Sequence, residues 1–333
     1  MSGANQGPTT VTQVKGGTIT TTSSGTGSAD APTQQQTSTA RPANAFVQRA
    51  IDITVKIGQG DFGEKGFDQI TLRGLRVSTH IQKLGFPDFN RAQIAIFGMK
   101  LDLMNRLSTL GIPNVAGTRN NQVAIMAYDV KTAPKLVFEG HIIEAWADFA
   151  GMPEVVFNIQ AQTGGDAQMK PVPASSYPGA ADAVVIMQSL AKLMGREFEN
   201  NGVPVTMLDN PYFPGTATAQ AEACARAANI GWVLDDKKLA IFPVYGQRAN
   251  DVPVVSRNTG MVGYPSYAGP PFVALRTLYN PAIVFNGTIK VESDVKNANG
   301  EWRVRSLEHH LESEMPNGAW FSEIVADKLF AAT

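Results

Sequence analysis

Apolar and polar residues alternate along much of the chain, which predicts a protein built mainly from β-strands. Residues 51–57 carry isoleucine or valine at every odd position and a polar residue at every even one. A period of two is typical of a strand with one buried face. Near Gly74 the alternation slips by one position, which predicts a β-bulge. Further strands are predicted from residue 94 and at residues 123–128, 136–146 and 155–161.

A helical repeat interrupts this first β-rich block once, at residues 99–110. Apolar side chains recur there every three or four positions, at Met99, Leu103, Leu107 and Leu110. This spacing predicts a helix with one buried stripe. Glycine at 111 and proline at 113 are typical of a helix end.

The middle of the chain predicts a proline- and glycine-rich linker at residues 162–178, followed by a small α/β module. Asp182 is suited to cap one helix, and Thr216 or Thr218 to cap a second. Residues 232–242 then predict a β-hairpin around the polar turn 235–238.

From Tyr245 the β pattern returns, with strands predicted at residues 252–256, 272–278, 283–291, 302–311 and 320–326. Asparagine and glycine at 297–300 and 316–318 are typical of hairpin turns. Residues 137–142 and 284–289 share the pattern V-F-x-G-x-I. This short repeat favours a duplicated β module with the α/β module inserted between the copies.

The first 45 residues differ from the rest, because threonine, serine, glycine and glutamine dominate them and charges are few. Such a segment buries too little apolar surface to offset its ordering entropy. Two interpretations remain: a flexible arm, or an extended arm that orders against a neighbouring subunit.

Composition excludes several classes of protein. Lys+Arg and Asp+Glu number 28 and 29, so the basic excess of a dedicated nucleic-acid binder is missing. No apolar stretch reaches the roughly 20 residues of a membrane span, and residues 1–8 do not resemble a signal peptide. A single cysteine, Cys224, excludes an intrachain disulfide framework. Only 17% of residues are charged, which is compatible with a surface largely covered by partners.

Candidate chemistry is sparse. The glycine-rich loop 58–66 joins two strands and lacks phosphate-loop spacing, so we predict a hairpin loop. The four histidines, His80, His141, His309 and His310, show no metal-ligand spacing. His309 and His310 are neighbours on one predicted strand, so their rings are expected on opposite faces, where they cannot easily share a metal.

The remaining polar candidates favour structural roles. Cys224 lies among alanines in a predicted helix and is expected to be a buried thiol. Asp235 and Asp236 are predicted turn residues. A solvated or intersubunit face is expected to carry Glu308, Glu312 and Glu314. No convergent carboxylate pair and no G-x-S-x-G elbow is found. We therefore predict no catalytic, cofactor-binding or metal-binding residues, no cofactor and no enzymatic activity.

Several short stretches resemble baseplate hub proteins of contractile-tailed bacteriophages, including the late-control and tail-hub families. Residues 96–110 are similar to the helix of a tail-tube-like domain, and residues 138–145 and 152–156 to its closing strands. A second tube-like domain is resembled by residues 263–265, 278–281 and 287, and its terminal hairpin by residues 302–310 and 318–320. The resemblance covers about residues 46–330 and leaves the arm outside.

The resemblance implies an α+β, mostly β fold with an extended N-terminal arm (1–45). Two tail-tube-like β-barrel domains (46–165 and 246–333) would flank a small α/β domain (166–245). It also implies a structural, non-enzymatic hub subunit that forms a homotrimer and joins the tail tube protein to the central spike protein. Other baseplate proteins are expected as further partners, without nucleic-acid specificity or a membrane anchor. The expected location is the tail baseplate of the virion, after assembly in the host cytoplasm.

Three alternatives stay open. A tube-end or spike-collar protein of a related contractile injection machine would share the same physics. A cell-wall hydrolase or peptidase in the α/β module would need two converging acids or a histidine-held metal. A carbohydrate-binding module would need exposed stacking surfaces on Trp232, Trp302 and Trp320.

Overall fold

The structure is a computed structural model that describes residues 48–58, 68–112, 120–129 and 132–328. The arm and all but Gly58 of the glycine-rich loop lie outside these residues. The helices are α1 (Leu101–Leu107), α2 (Gly165–Met169), α3 (Ala183–Leu193), α4 (Ala217–Ala228) and a 3₁₀ helix (Lys296–Ala298). In chain order, the strands are β1 (Arg49–Lys56), β2 (Gln69–Leu72), β3 (Val77–Lys83), β4 (Arg91–Phe97), β5 (Gln122–Asp129), β6 (Lys135–Asp148), β7 (Val156–Gln162), β8 (Ser175–Ser176), β9 (Ala180–Asp182), β10 (Glu197–Asn200), β11 (Met207–Asp209), β12 (Tyr212–Phe213), β13 (Ile230–Leu234), β14 (Lys238–Pro243), β15 (Val254–Ser256), β16 (Ser266–Tyr267), β17 (Phe272–Leu278), β18 (Thr288–Glu292), β19 (Gly300–Ser313) and β20 (Trp320–Lys328).

One 13-stranded sheet contains both β-rich blocks, so the mostly β character is confirmed. Its strand order is β16-β17-β20-β19-β3-β4-β7-β6-β5-β1-β2, with β18 beside β19 and β15 beside β18. The two blocks meet where β3 pairs antiparallel with β19, from Val77 opposite Ser313 to Lys83 opposite Leu307. We call this pairing the seam. Across the described strands the path ends at β2 and β16 and closes no barrel, so the expected pair of β-barrel domains is not confirmed.

The alternation of β1 gives the expected buried face, with Ile51, Ile53 and Val55 almost inaccessible to solvent. The slip near Gly74 is not a bulge, so that prediction was wrong. The chain leaves β2, which pairs with β1, and enters β3, which pairs with β4 and β19. Gly74 lies between them with φ +64°, a conformation that glycine adopts without steric cost.

Helix α1 is shorter than the leucine repeat predicts. It ends at Leu107, and Leu110 is 85% exposed. The cause is Thr109, whose backbone nitrogen donates to the Ala145 carbonyl at 2.7 Å, while its hydroxyl accepts from the Ala145 nitrogen at 2.8 Å. These bonds to β6 replace the next helical hydrogen bonds.

The α/β module packs α3 and α4 against a three-stranded sheet of order β10-β14-β13. Asp182 caps α3 by accepting from the Val184 nitrogen at 3.1 Å, and Thr216 caps α4 by accepting from the Ala219 nitrogen at 3.3 Å. The Asp182 cap is confirmed, and Thr216 is the one of its two candidates that forms the second cap. Residues 162–178 are more than a linker, because they contain α2 and β8.

The two V-F-x-G-x-I stretches adopt different structures. Residues 137–142 lie inside β6, whereas residues 284–287 form a turn that leads into β18. A Cβ on Gly140 would lie 2.7 Å from the Gln162 carbonyl, and one on Gly287 would lie 2.6 Å from Val284. Each glycine is therefore required by the close contacts around it. The match between the two stretches does not mark equivalent positions of a duplicated module.

Candidate functional site

A buried polar region lies where the α/β module meets the sheet. Lys83, at the end of β3, has only 9% of its side chain exposed. Its Nζ donates to Asp236 Oδ2 at 2.5 Å and to Asp235 Oδ1 at 3.4 Å. Both aspartates lie in the β13–β14 turn. We call Lys83, Asp235, Asp236, Arg248 and Glu199 the ionic junction.

Arg248 extends the ionic junction on its other side, with 5% of its side chain exposed. Its Nε and Nη2 donate to the two oxygens of Glu199 at 3.0 and 3.2 Å, a bidentate geometry that fixes both side chains. Its Nη1 donates to Asp235 Oδ2 at 2.9 Å. The Arg248 backbone nitrogen also donates to the Asn286 carbonyl at 2.8 Å, which ties the junction to the second β block.

Two further bonds tie the aspartates to the first β block. Asn90 donates to Asp235 Oδ1 at 3.0 Å, and the Glu139 backbone nitrogen donates to Asp236 Oδ1 at 3.1 Å. The ionic junction therefore contacts both β blocks and the α/β module at once. Its arrangement holds these parts in one geometry.

The charges of the junction are unequal, with three carboxylates against two cations. Burial raises the pKa of Asp236 to about 6, although the positive charge of Lys83 acts to lower this pKa. Burial would also raise the pKa of Asp235, but Lys83 and Arg248 hold it well below its ordinary value. Burial would lower the pKa of Lys83, yet Asp236 and Asp235 raise it overall. Protonation of Asp236 balances the buried charges.

Sequence reasoning missed the junction, because it treated Asp235 and Asp236 as turn residues only. A usable signal was Lys83 itself. It continues the odd-numbered series Val77, Thr79 and Ile81, which faces inward along β3. A lysine at an inward-facing position needs a buried partner.

Three of the four histidines lie on the seam, and His309 and His310 point to its opposite faces, as predicted. His309 is buried, with Nδ1 2.8 Å from Ser322 Oγ. His310 lies on the outer face and stacks on His80, with ring centroids 4.5 Å apart. His141 is buried in β6, and burial lowers its pKa.

The acidic residues of β19 and its turn have specific partners. Glu308 Oε2 lies 2.7 Å from His80 Nε2. Glu312 accepts from Ser78 Oγ at 3.1 Å and from the Ala319 nitrogen at 2.7 Å. Glu314 accepts from Gln48 at 3.5 Å. The face predicted to be solvated or intersubunit therefore also carries hydrogen bonds within the chain.

Cys224 is buried within α4, as predicted, and burial raises the pKa of its thiol to about 12. A thiol with such a pKa stays protonated at neutral pH and is a poor nucleophile. Trp232, Trp302 and Trp320 are 4–8% exposed. They do not offer the stacking surfaces that a carbohydrate-binding module would need.

Three exposed apolar side chains lie at one end of the sheet. Leu101, Phe149 and Met152 are 56%, 48% and 71% exposed. Val156 of β7 pairs with both Phe97 of β4 and Asp148 of β6, so the start of α1 and the β6–β7 turn share this end. We call Leu101, Phe149 and Met152 the end patch.

One border of the sheet is open. Within the described residues β2 pairs only with β1, and no other described strand lies along its opposite edge. Free edges readily pair with a strand from another chain.

No helix in the described ranges is long and apolar enough to cross a membrane.

The family model described as Baseplate hub gp41 matches residues 50–318. The chain belongs to the baseplate hub gp41 family. This confirms the resemblance to baseplate hub proteins and assigns the chain to a family of structural components of the phage tail baseplate. No curated protein matches the sequence.

Solved structures of similar fold include tail proteins. The tail protein from Neisseria meningitidis MC58 matches with a TM-score of 0.53 and 10% identity over 83% of this chain and 96% of its own. The 43 kDa tail protein of prophage MuSo2 from Shewanella oneidensis gives 0.51 and 9% over 83% and 96%. A chain of the half-lidded Francisella PdpA-VgrG complex gives 0.50 and 8% over 84% and 58%. At these identities the likeness shows the fold alone.

Proposed function

We propose that this baseplate hub protein forms a homotrimeric ring that joins the tail tube to the central spike. The observation that carries the proposal is the seam. Because β3 pairs with β19 over seven residues, each chain holds two β blocks in one continuous sheet. Three chains would place six β blocks around a ring. Such a ring can match a sixfold tube on one side and a threefold spike on the other.

The proposed modules follow the sequence boundaries. Residues 46–165 and 246–333 would each act as one tube-like module, and residues 166–245 would face outward toward other baseplate proteins. The ionic junction supports this arrangement, because its buried charge pairs fix the outer module to both β blocks.

The end patch and the free edge of β2 supply contacts of the required kind. Exposed apolar clusters mark interaction sites on soluble proteins, and an open strand edge adds main-chain pairing. We assign the end patch to the contact between copies of this chain. The proposed location is the virion tail, with assembly in the host cytoplasm.

A second candidate is a tube-end or spike-collar role in a related contractile injection machine. The similarity to a chain of the PdpA-VgrG complex favours it. Both candidates require the same ring, and they differ in the tube that the ring meets.

The test is light scattering on the purified full chain, followed by mixing with the tail tube and spike proteins of the same phage. We expect a species of three times the 35.6 kDa chain mass that binds both proteins. A stable monomer that binds neither would overturn the proposal. A trimer that binds the spike protein but not the phage tube would favour the second candidate.

A further inference from the structure

The outer face of the seam carries two imidazoles and a carboxylate in one cluster. His80 at the middle of β3 is paired directly with His310 of β19. Glu308 lies two residues before His310, so the strand period places it on the same face. Its Oε2 is 2.7 Å from His80 Nε2, and the two rings stack with an interplanar angle of 11°.

We propose that His80, Glu308 and His310 form a binding site for a divalent transition-metal ion of the zinc type. Their ligand atoms all lie within 4.8 Å of one another. Ligands about 2 Å from a tetrahedral zinc lie roughly 3.3 Å apart. The two rings lie nearly parallel in this structure, so they must turn toward each other before both nitrogens can bind one ion.

The donor set fits the proposed ion. Two imidazoles and one carboxylate are a common set of three protein ligands for zinc, and they leave a fourth position open. The side chains of His80 and Glu308 are each 32% exposed, so water can reach that position.

The surrounding residues hold the ligands and favour a cation. Gln82 donates to the second oxygen of Glu308 at 3.4 Å. Phe321 packs against His310, with the centroids of the two rings 5.1 Å apart. Glu308 lies directly opposite Glu323 in the β19–β20 pairing. Like charges in such a pair are destabilising. Arg276 binds Glu323 from one side, and a metal ion would neutralise Glu308 from the other.

The sequence did not reveal this site, because its ligands come from two strands that are far apart in the chain. His309 and His310 do point to opposite faces and cannot share an ion. The second imidazole comes instead from His80, in the other β block. A bound ion would therefore link β3 to β19 and clip the two β blocks together at the seam.

The experiment uses tag-free, chelator-washed full-length protein and titrates it with Zn²⁺ by calorimetry, with Co²⁺ absorption as a second readout. We expect one ion per chain. His80→Gln and His310→Gln should each weaken binding at least about tenfold, since even residues behind the ligands contribute roughly 10- to 100-fold. Glu312→Gln, on the same face of β19 but outside the cluster, should bind like the parent.

A second measurement needs no variant. Zn²⁺ should protect His80 and His310 from carbethoxylation in the parent protein, as read by peptide mass spectrometry. Absence of stoichiometric binding, or binding that neither histidine variant weakens, would overturn the proposal. Binding without protection of these two rings would overturn it as well, because the ion would then sit elsewhere.

Discussion

Lys83 and Asp236 lie 153 residues apart in the chain, yet Nζ and Oδ2 are 2.5 Å apart in the fold. Lys83→Met keeps an unbranched side chain of nearly the same length and removes its charge. It leaves the buried Asp236 without its cation and leaves Asp235 with Arg248 alone, so we expect a loss of about 3–5 kcal/mol in the free energy of unfolding. Urea denaturation followed by circular dichroism measures this loss.

Lys237→Met is the matched control for that experiment. Lys237 is one residue from Asp236, its side chain is 62% exposed, and its ion pair with Glu139 is 3.8 Å long. Exposed pairs contribute at most about 1 kcal/mol. Equal losses in the two variants would contradict a stabilising role of the ionic junction.

Asp236 gives the stability of the protein a defined pH dependence. Its folded pKa of about 6 lies above the roughly 3.9 of an unfolded aspartate, so the folded state binds more protons between these values. The stability that Asp236 contributes is therefore complete below about pH 4 and is lost as the pH rises through 6. Asp236→Asn, which mimics the protonated form, should lack this loss.

The measurement compares unfolding free energies of the parent and Asp236→Asn at pH 4.5 and 7.5. The asparagine variant should gain more than about 1 kcal/mol relative to the parent between these pH values. Asp235 and Glu199, whose pKa values are lowered, act in the opposite direction, but they do so in both proteins. A difference that is independent of pH would contradict the assignment.

The sequence predicts the positions of the strands better than it predicts which strands pair with each other. Alternation located β1, β5 and β20, because burial of one face is a local property. It could not show that β3 and β19 join the two blocks, because strand pairing depends on residues far apart in the chain. The ionic junction and the His80–His310 pair were missed for the same reason, although Lys83 at an inward-facing position was a local signal.

Gly140 in β6 provides a test of close strand packing. An alanine Cβ there would lie 2.7 Å from the backbone of Gln162 in β7 and from Phe138. Backbone atoms cannot yield easily, so Gly140→Ala should destabilise the fold by about 1–3 kcal/mol. Gly151→Ala, in a turn where the nearest atom is 3.2 Å away, should cost clearly less. Thermal melts of both variants measure the difference, and equal melting temperatures would contradict the packing argument.

Cys224 makes unfolding directly observable, because it is the single cysteine of the chain. Burial raises the pKa of its thiol to about 12, so the folded protein should react with a thiol reagent far more slowly than the unfolded protein. One equivalent should react once urea unfolds the α/β module. Rapid stoichiometric labelling of folded protein would show that α4 opens readily.

The end patch can be tested separately from the stability of the fold. Met152→Lys places a charge on a side chain that is 71% exposed, so a folded monomer should tolerate it with less than about 0.5 kcal/mol of change. If the patch contacts a second copy of this chain, the charge will be desolvated there and the proposed ring should dissociate.

Leu193→Lys, at a 52% exposed site on α3, is the control and should leave assembly unchanged. Light scattering of both variants decides the point. Loss of assembly in the control alone would move the contact to the α/β module, and unchanged assembly in both would remove the end patch from the proposed ring.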